Sequence, residues 1–117
     1  MKTLSIIILS YNVKKLLLDC LKSIPGHDDW EIIIVDNAST DGSAEAVKNL
    51  KVIKNKTNLG FAAGINIGIK KSSSPFVLLL NPDTIVYPKT IETILEYMQS
   101  HSDVGATTCR VELPDGS

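Results

Sequence analysis

The stretch "LSIIILSYN" (residues 4–12) begins as a short apolar run rich in isoleucine and ends in polar residues. A continuous apolar run of this length is typical of a β-strand that is covered on both faces. Such strands occur mostly in parallel sheets that carry helices on either side. The stretch therefore predicts an α/β protein.

The rest of the chain repeats this unit of strand and helix. Further strands are predicted at "EIIIVD" (31–36), "KVIK" (51–54) and "FVLLL" (76–80), and "VGATTC" (104–109) is expected to begin another. Helices are predicted over residues 12–24, 39–50, 60–72 and 88–100. Asn12 can cap the first helix, and Pro88 suits the first turn of the last one. The alternation predicts one domain, residues 1–117, with a mostly parallel sheet and helices on both faces.

The composition limits the classes of function. The formal net charge is −1, so no basic field favours nucleic acid as a partner. The two cysteines, Cys20 and Cys109, form no metal-type pair and no CxxC motif. So few cysteines favour a reducing compartment, and we expect a cytoplasmic protein. A peripheral position of the full-length protein at the inner face of the membrane is a further option. The apolar run at the start is too short to span a bilayer and is interpreted as a strand rather than a signal peptide.

Polar residues follow three of the predicted strands at the point where each strand ends. They are Ser10-Tyr11-Asn12, Asp36-Asn37 and Asn81-Pro82-Asp83. Because ligands bind beyond the carboxyl ends of parallel strands, we expect these residues to form one site. The alternative is that they are caps and turn formers. That alternative accounts well for Asn12 but less well for Asp83, since the next predicted helix begins only at Pro88.

Asp83 is the candidate metal ligand. A carboxylate on a tight turn suits a hard divalent cation, which a single carboxylate binds weakly unless a substrate diphosphate supplies further oxygens. Pro82 stiffens this turn. The apolar run before it is interpreted as a central strand of the sheet that ends at the metal. A simple turn made of turn-forming residues remains the alternative.

Glycines recur at every fourth position of "NLGFAAGINIG" (residues 58–68). Each mid-helix glycine costs about 1 kcal/mol relative to alanine, so a close approach of the backbone is expected to offset it. We expect Gly64 and Gly68 to pack against the sheet. Gly60 lies at the helix entrance, where N–H groups and the helix dipole favour an anion or a sugar hydroxyl. The spacing matches neither the Walker loop nor the dinucleotide fingerprint.

Four stretches in order resemble the family 2 glycosyltransferases, namely "SIIILSYN", "IIIVDNASTDGS", "NLGFAAGINIG" and "LLLNPDTIV". They are similar to the N-terminal, nucleotide-sugar-binding half of that family, especially its rhamnosyltransferase-like branch. The resemblance implies a Rossmann-like GT-A fold. It also implies inverting transfer of a sugar from a nucleotide-diphosphate donor to a glycan or lipid-linked acceptor, with Mg²⁺ or Mn²⁺ as cofactor.

The resemblance also implies roles for individual residues. Ser10, Tyr11 and Asn12 would bind the nucleotide, with the Tyr11 ring as a stacking face for the base. Asp36 and Asn37 would face the base. Many members have a second aspartate where this chain has Asn37, and this departure leaves uridine and deoxythymidine donors open.

The remaining donor-binding residues follow the third and fourth strands. They are Asn58, Gly60, Asn66, Asn81 and Asp83. Ile65 replaces an arginine that many members have before Asn66, so one phosphate contact is missing. Asn81 replaces the first aspartate of the DXD-type element, which leaves Asp83 as the metal ligand.

Inverting transfer needs a general base, which we expect beyond Ser117. The chain is therefore expected to be the donor-binding part of a longer enzyme, inactive alone and prone to self-association through its exposed face. One alternative is a non-catalytic module that binds a nucleotide or a protein. A haloacid-dehalogenase-like phosphatase is a second, although Asn81 replaces the nucleophilic carboxylate that its DxDxT motif requires.

Overall fold

The computed structural model describes all residues from Met1 to Ser117. It divides into two compact units, Met1–Ile85 and Val86–Ser117. The first unit contains β1 (Leu4–Ser10), α1 (Lys14–Ser23), β2 (Trp30–Asp36), α2 (Ser43–Ala46), β3 (Lys51–Lys54), α3 (Phe61–Lys71) and β4 (Phe76–Leu79). The second contains α4 (Thr90–Ser100).

The strands form one four-stranded sheet in the order β3-β2-β1-β4. Every neighbouring pair is parallel. β1 pairs with β2 along its whole length, from Leu4 opposite Trp30 to Ser10 opposite Asp36. The predicted α/β fold with a parallel sheet is confirmed.

Helices cover both faces of the central strands. Consecutive residues of a strand point to opposite faces, and Ile6, Ile7 and Ile8 are all fully buried. The face with Ile7 packs against α3, whose buried Ile65 belongs to the same core cluster. The opposite face carries Ile6 and Ile8, and α1 also buries a side chain, the fully buried Cys20. The continuous apolar run of β1 therefore has the physical reason that the sequence predicted.

Two glycines let α3 lie directly on the sheet. A Cβ atom at Gly68 would lie 2.6 Å from Cγ2 of Ile7, and one at Gly64 would lie 2.5 Å from Cδ1 of Leu9. Such distances are too short for a real contact. The cost of glycine within a helix is thus offset by the close approach of helix and sheet, as expected.

β4 differs from the prediction because it lies at the edge of the sheet. Only β1 pairs with it, and Val77 and Leu79 are 39% and 48% exposed. The prediction that this apolar run forms a central strand was wrong for this chain. β1 and β2 are the central strands, and the apolar character of β4 leaves an uncovered surface.

Three predicted elements are shorter or absent. α2 occupies only Ser43–Ala46 of the helix predicted over 39–50. Residues 104–109, expected to begin a strand, form no regular secondary structure. α4 begins at Thr90 after Lys89, so Pro88 precedes the helix rather than occupying its first turn.

No helix has the length and apolar character needed to cross a membrane.

Candidate nucleotide-sugar site

The candidate site lies at the carboxyl edge of the sheet. Because all strands are parallel, the residues that follow β1, β2 and β4 meet at the same edge. The chain runs outward from β1 to β2 and β3, and then returns to the other side of β1 as β4. Parallel sheets bind ligands where the strand order reverses, which places the crevice between the ends of β1 and β4. The structure therefore brings the polar clusters to one edge.

Ser10 and Asp36 end the two central strands side by side, and both are buried. Oδ2 of Asp36 accepts a hydrogen bond from the backbone N–H of Ser39 at 3.0 Å. Oδ1 of Asp36 and Oγ of Ser10 have no protein partner. Buried polar atoms are nearly always paired, so these two atoms are candidates for a hydrogen bond to a ligand or a water.

Asn12 ties the end of β1 to the β2–α2 loop, which we define as residues 37–42. Its backbone N–H donates to Oγ of Ser39 at 2.9 Å, and its Oδ1 accepts from the backbone N–H of Thr40 at 2.8 Å. Its φ of 52° is left-handed, a conformation that asparagine tolerates better than most residues. Asn12 therefore does not cap α1, contrary to the prediction.

Asp41 caps two helices at once. Its Oδ2 accepts from the backbone N–H of Lys14 at 2.9 Å, at the start of α1. Its Oδ1 accepts from the backbone N–H of Ser43 at 3.0 Å and also from the Ser43 hydroxyl, at the start of α2. The hydroxyl of Ser43, together with the N–H groups of Lys14 and Ser43, lowers the pKa of the Asp41 carboxyl. The charged form of Asp41 thus stabilises the loop.

Both polar atoms of the Asn37 side chain form hydrogen bonds within the protein. It is only 2% exposed. Its Oδ1 accepts from Nδ2 of Asn55 at 2.8 Å and from the backbone N–H of Leu59 at 3.4 Å, while its Nδ2 donates to the carbonyl oxygen of Gly60 at 3.1 Å. The base contact expected for Asn37 would compete with these bonds. In this structure its amide joins the end of β2 to the start of α3.

The entrance of α3 is open. Asn58 accepts a hydrogen bond through its Oδ1 from the backbone N–H of Gly60 at 2.9 Å. Gly60 has a φ of 82°, and no side chain caps α3. The first N–H groups of α3 can therefore bind a ligand. Asn66 is exposed one turn further along the helix. Ile65, which replaces the family's arginine, is buried in the core.

Asp83 lies on the β4 turn, which we define as residues 81–84. The carbonyl oxygen of Asn81 closes the turn by accepting from the Thr84 hydroxyl at 2.7 Å and from the Thr84 N–H at 3.3 Å. Asp83 itself is exposed and accepts no hydrogen bond. Its carboxylate is therefore free for a ligand from outside the protein.

Cys20 of α1 reaches the same turn. Its thiol donates to the carbonyl oxygen of Asn81 at 3.8 Å and lies 3.9 Å from the Thr84 hydroxyl. Burial raises the pKa of the Cys20 thiol, and the negative charge of Asp83 raises it further, against the opposing effect of Thr84. The thiol thus remains protonated and can donate.

The β4 turn carries one carboxylate, that of Asp83, that is available as a ligand for a cation. No group of three or more His, Cys, Asp or Glu residues is placed to hold a metal ion. Asp83 fits a divalent cation as a single free oxygen ligand, provided that the bound substrate supplies further oxygens. Tyr11, at the end of β1, is 49% exposed and can present its ring to a ligand.

Comparison with known proteins gives the identity of the fold. The sequence profile described as glycosyl transferase family 2 matches residues 5–116. The chain belongs to this family. A Haemophilus influenzae protein named as an uncharacterized glycosyltransferase is 29% identical over 118 residues. The match covers 93% of this chain but 36% of that protein, so this glycosyltransferase domain spans about a third of that relative's length.

Solved structures of two glycosyltransferases have the same architecture. TarS of Staphylococcus aureus, a poly(ribitol-phosphate) β-N-acetylglucosaminyltransferase, is 29% identical over 116 residues, which cover 89% of this chain and 20% of TarS. The crystal structure of TarS 1–349 with UDP has a TM-score of 0.78 and 25% identity, covering 96% of this chain and 39% of that one. The mannosyltransferase PcManGT of Pyrobaculum calidifontis, with GDP-Man and Mn²⁺, has a TM-score of 0.75 at 25% identity, covering 96% and 36%. The predicted GT-A fold is thus confirmed, and the phosphatase alternative is excluded.

Several residues of the site were not identified as such from the sequence. Asn55 and Cys20 act through hydrogen bonds to residues 18 and 61 positions away, and no local pattern indicates such contacts. Asp41 stood in a stretch rich in capping residues, but its link to Lys14 depends on the pairing of β1 with β2. Leu59 and Phe61 flank Gly60 and are 45% and 60% exposed, which adds apolar surface at the α3 entrance.

Proposed function

We propose that this domain binds the nucleotide-diphosphate-sugar donor of an inverting, metal-dependent glycosyltransferase. The observation that carries the proposal is the placement of exposed Tyr11 after β1 and of exposed Asp83 after β4, two neighbouring parallel strands between which the strand order reverses. A ring for a base and a carboxylate for a cation, at the same edge of the sheet, suit a nucleotide diphosphate.

Asp83 would hold Mg²⁺ or Mn²⁺ together with oxygens of the donor diphosphate. Such a cation, when bound, would supply positive charge to offset the negative charge on the departing nucleoside diphosphate. What the chain itself contributes is a fixed turn, closed on the Asn81 carbonyl, that presents an unpaired carboxylate. The neighbour solved with GDP-Man and Mn²⁺ supports this assignment.

The nucleoside would lie against the end of β1. Tyr11 would stack on the base, and the unpartnered atoms of Ser10 and Asp36 would accept or donate hydrogen bonds beneath it. Asn12 and Asn37 would act indirectly, by holding the loop that surrounds the nucleoside. A UDP or dTDP donor follows from the resemblance, and the UDP complex of TarS supports the uridine option.

The sugar and the phosphates would extend toward the α3 entrance. Gly60 and Asn58 border this region, and the uncapped N–H groups of α3 favour the negative phosphates. Asn66 is an exposed amide for a sugar hydroxyl. The rhamnosyltransferase-like branch is the specificity that the motifs favour.

The acceptor and the general base would come from the rest of the full-length protein. We assign a glycan or lipid-linked acceptor and place the reaction in the cytoplasm. The cytoplasmic location is supported by two free cysteines, one of them exposed. The isolated chain is then a donor-binding module that does not complete the transfer.

Ligand-dependent stability tests this proposal. A ligand at one hundred times its dissociation constant stabilises a folded chain by about 2.7 kcal/mol. We expect UDP or dTDP to raise the melting temperature of the 117-residue chain only when Mn²⁺ is present. The Asp83→Ala variant should lose this shift.

The matched control is Asp28→Ala, because Asp28 is also exposed but precedes β2, at the opposite edge of the sheet. This variant should keep the full shift. A well-folded wild-type sample with no Mn²⁺-dependent shift for either nucleotide would contradict donor binding.

We also propose that the isolated chain self-associates through the outer edge of β4 with a second copy. An exposed strand edge offers unpaired backbone groups, and Val77 and Leu79 add exposed apolar surface beside it. Light scattering at high concentration measures this directly, and a monodisperse monomer would refute it.

A further inference from the structure

The β4 turn is held by hydrogen bonds from one of its own residues and from one residue of α1. The Asn81 carbonyl accepts twice from Thr84, which belongs to the turn, and once from the Cys20 thiol, which does not. Cys20 lies 61 positions earlier in the chain. It thus supplies a hydrogen-bonding contact from α1 to this turn, beyond the one that joins Leu80 to Ile7 of β1 just before it.

α1 is itself tied to the nucleotide side of the site. Its first N–H group, on Lys14, is bound by Asp41 of the β2–α2 loop at 2.9 Å. Cys20 lies two turns further along and is fully buried. The helix therefore connects the β2–α2 loop to the turn that carries Asp83.

We infer that Cys20 is a positioning residue that holds Asp83 where the cation and the donor diphosphate meet. The inference rests on the proposed role of Asp83 as metal ligand. Asp83 has no protein partner that would orient it, so its position depends on the turn alone. Loss of the thiol leaves the Asn81 carbonyl with only the bonds from Thr84, and the turn can then shift as a unit.

The first test concerns the turn without any ligand. Amide hydrogen exchange of Thr84, whose N–H is bound by Asn81, is measured by NMR in wild-type, Cys20→Ala and Cys20→Ser chains. We expect exchange about threefold faster in Cys20→Ala, after correction for global stability, because one hydrogen bond is lost. Cys20→Ser keeps a donor and should restore most of the protection.

Val47→Ala is the control for general loss of packing. Val47 is also buried, in the turn after α2, and has no hydrogen bond to the β4 turn. It should lower global stability without a specific change at Thr84. Unchanged Thr84 exchange in Cys20→Ala would overturn the inference.

The second test concerns the metal. Free Mn²⁺ is titrated by EPR in the presence of UDP. We expect Cys20→Ala to weaken Mn²⁺ binding about threefold while Cys20→Ser stays close to wild type.

The outcomes separate the inference from the proposed function. If wild type binds no Mn²⁺ with either UDP or dTDP, the proposed function fails, and the exchange of Thr84 still decides whether Cys20 holds the turn. If wild type binds Mn²⁺ and Cys20→Ala binds it equally tightly, the inference fails. Equal losses in Cys20→Ala and Cys20→Ser would show that side-chain volume, not the donated hydrogen bond, matters, and would also overturn it.

Discussion

The β2–α2 loop and the β4 turn lie at the same edge of the sheet but are held in opposite ways. The loop is bound from several sides by Asn12, Asp41 and Asn37, whose polar atoms are used within the protein. The turn is closed at one carbonyl oxygen, and its carboxylate on Asp83 is bound by nothing.

This difference separates two tasks of a binding site. Side chains that shape a cavity must satisfy their hydrogen bonds within the protein, since an unsatisfied buried group costs free energy. A group that binds a cation must keep its oxygens free. The most heavily bonded polar residues of this edge are therefore structural, and the unbonded ones are the candidates for ligand contact.

The largest effect is expected from Asn37→Ala. Truncation removes the acceptor of Asn55 and Leu59 and the donor to Gly60. Two or more buried hydrogen bonds and some packing are lost, so the free energy of unfolding should fall by about 2–4 kcal/mol. Urea denaturation measures this.

Asn66→Ala is the matched control for that experiment. Asn66 is an exposed amide without a hydrogen-bond partner, so its loss should change stability by no more than about 0.5 kcal/mol. A similar small change in Asn37→Ala would show that the β2–α2 loop is not held as described.

A smaller effect, which is present at neutral pH and disappears in acid, is expected from Asp41→Asn. Its folded-state pKa is lowered, first by the Ser43 hydroxyl, so the folded chain binds fewer protons than the unfolded chain in acid. The contribution of Asp41 to stability is complete above its unfolded pKa of about 3.9 and is lost as pH falls through the folded value.

Thermal melts at neutral pH and between about pH 2 and 4 test this sign. Asp41→Asn should melt at a lower temperature than wild type at neutral pH, and the two curves should converge as the pH falls through the folded pKa. A constant difference at every pH would contradict the charge-dependent capping of α1 and α2.

The smallest effect on stability is expected from Asp83→Asn. Because Asp83 has no partner in the protein, its replacement should change the free energy of unfolding by no more than about 0.5 kcal/mol. The same variant should lose Mn²⁺-dependent nucleotide binding. A large stability loss measured in urea would mean that Asp83 is a structural residue, and the contrast between the loop and the turn would disappear.

Local patterns were enough for most of the fold. The isoleucine run of β1, the apolar run of β2 and the glycine spacing of α3 each carried a physical reason that the structure confirms, namely burial on both faces and close packing. They were not enough for the position of β4, because an apolar sequence does not distinguish a central strand from a strand at the edge of the sheet.

The candidate site was predictable as a set of positions but not as a set of roles. That Asp36, Asn37 and Asp83 meet at one edge follows from parallel strands. Which of them is free does not, because the partners of Asn37 are Asn55 and Gly60, 18 and 23 positions away. Asn12 was predicted to cap α1, but the contact of Asp41 with Lys14 spans 27 positions.

The amino-acid sequence by itself determined the order of strands and helices, the family and the positions where polar groups follow buried strands. These are encoded in periodicity and local chemistry, which a short window of residues contains. Only the tertiary structure decided that Asn37 is occupied, that Asp83 is free, and that Cys20 reaches the turn beneath it. The reason is that a hydrogen bond depends on distances of a few ångströms between segments far apart in the chain, and no local pattern records them.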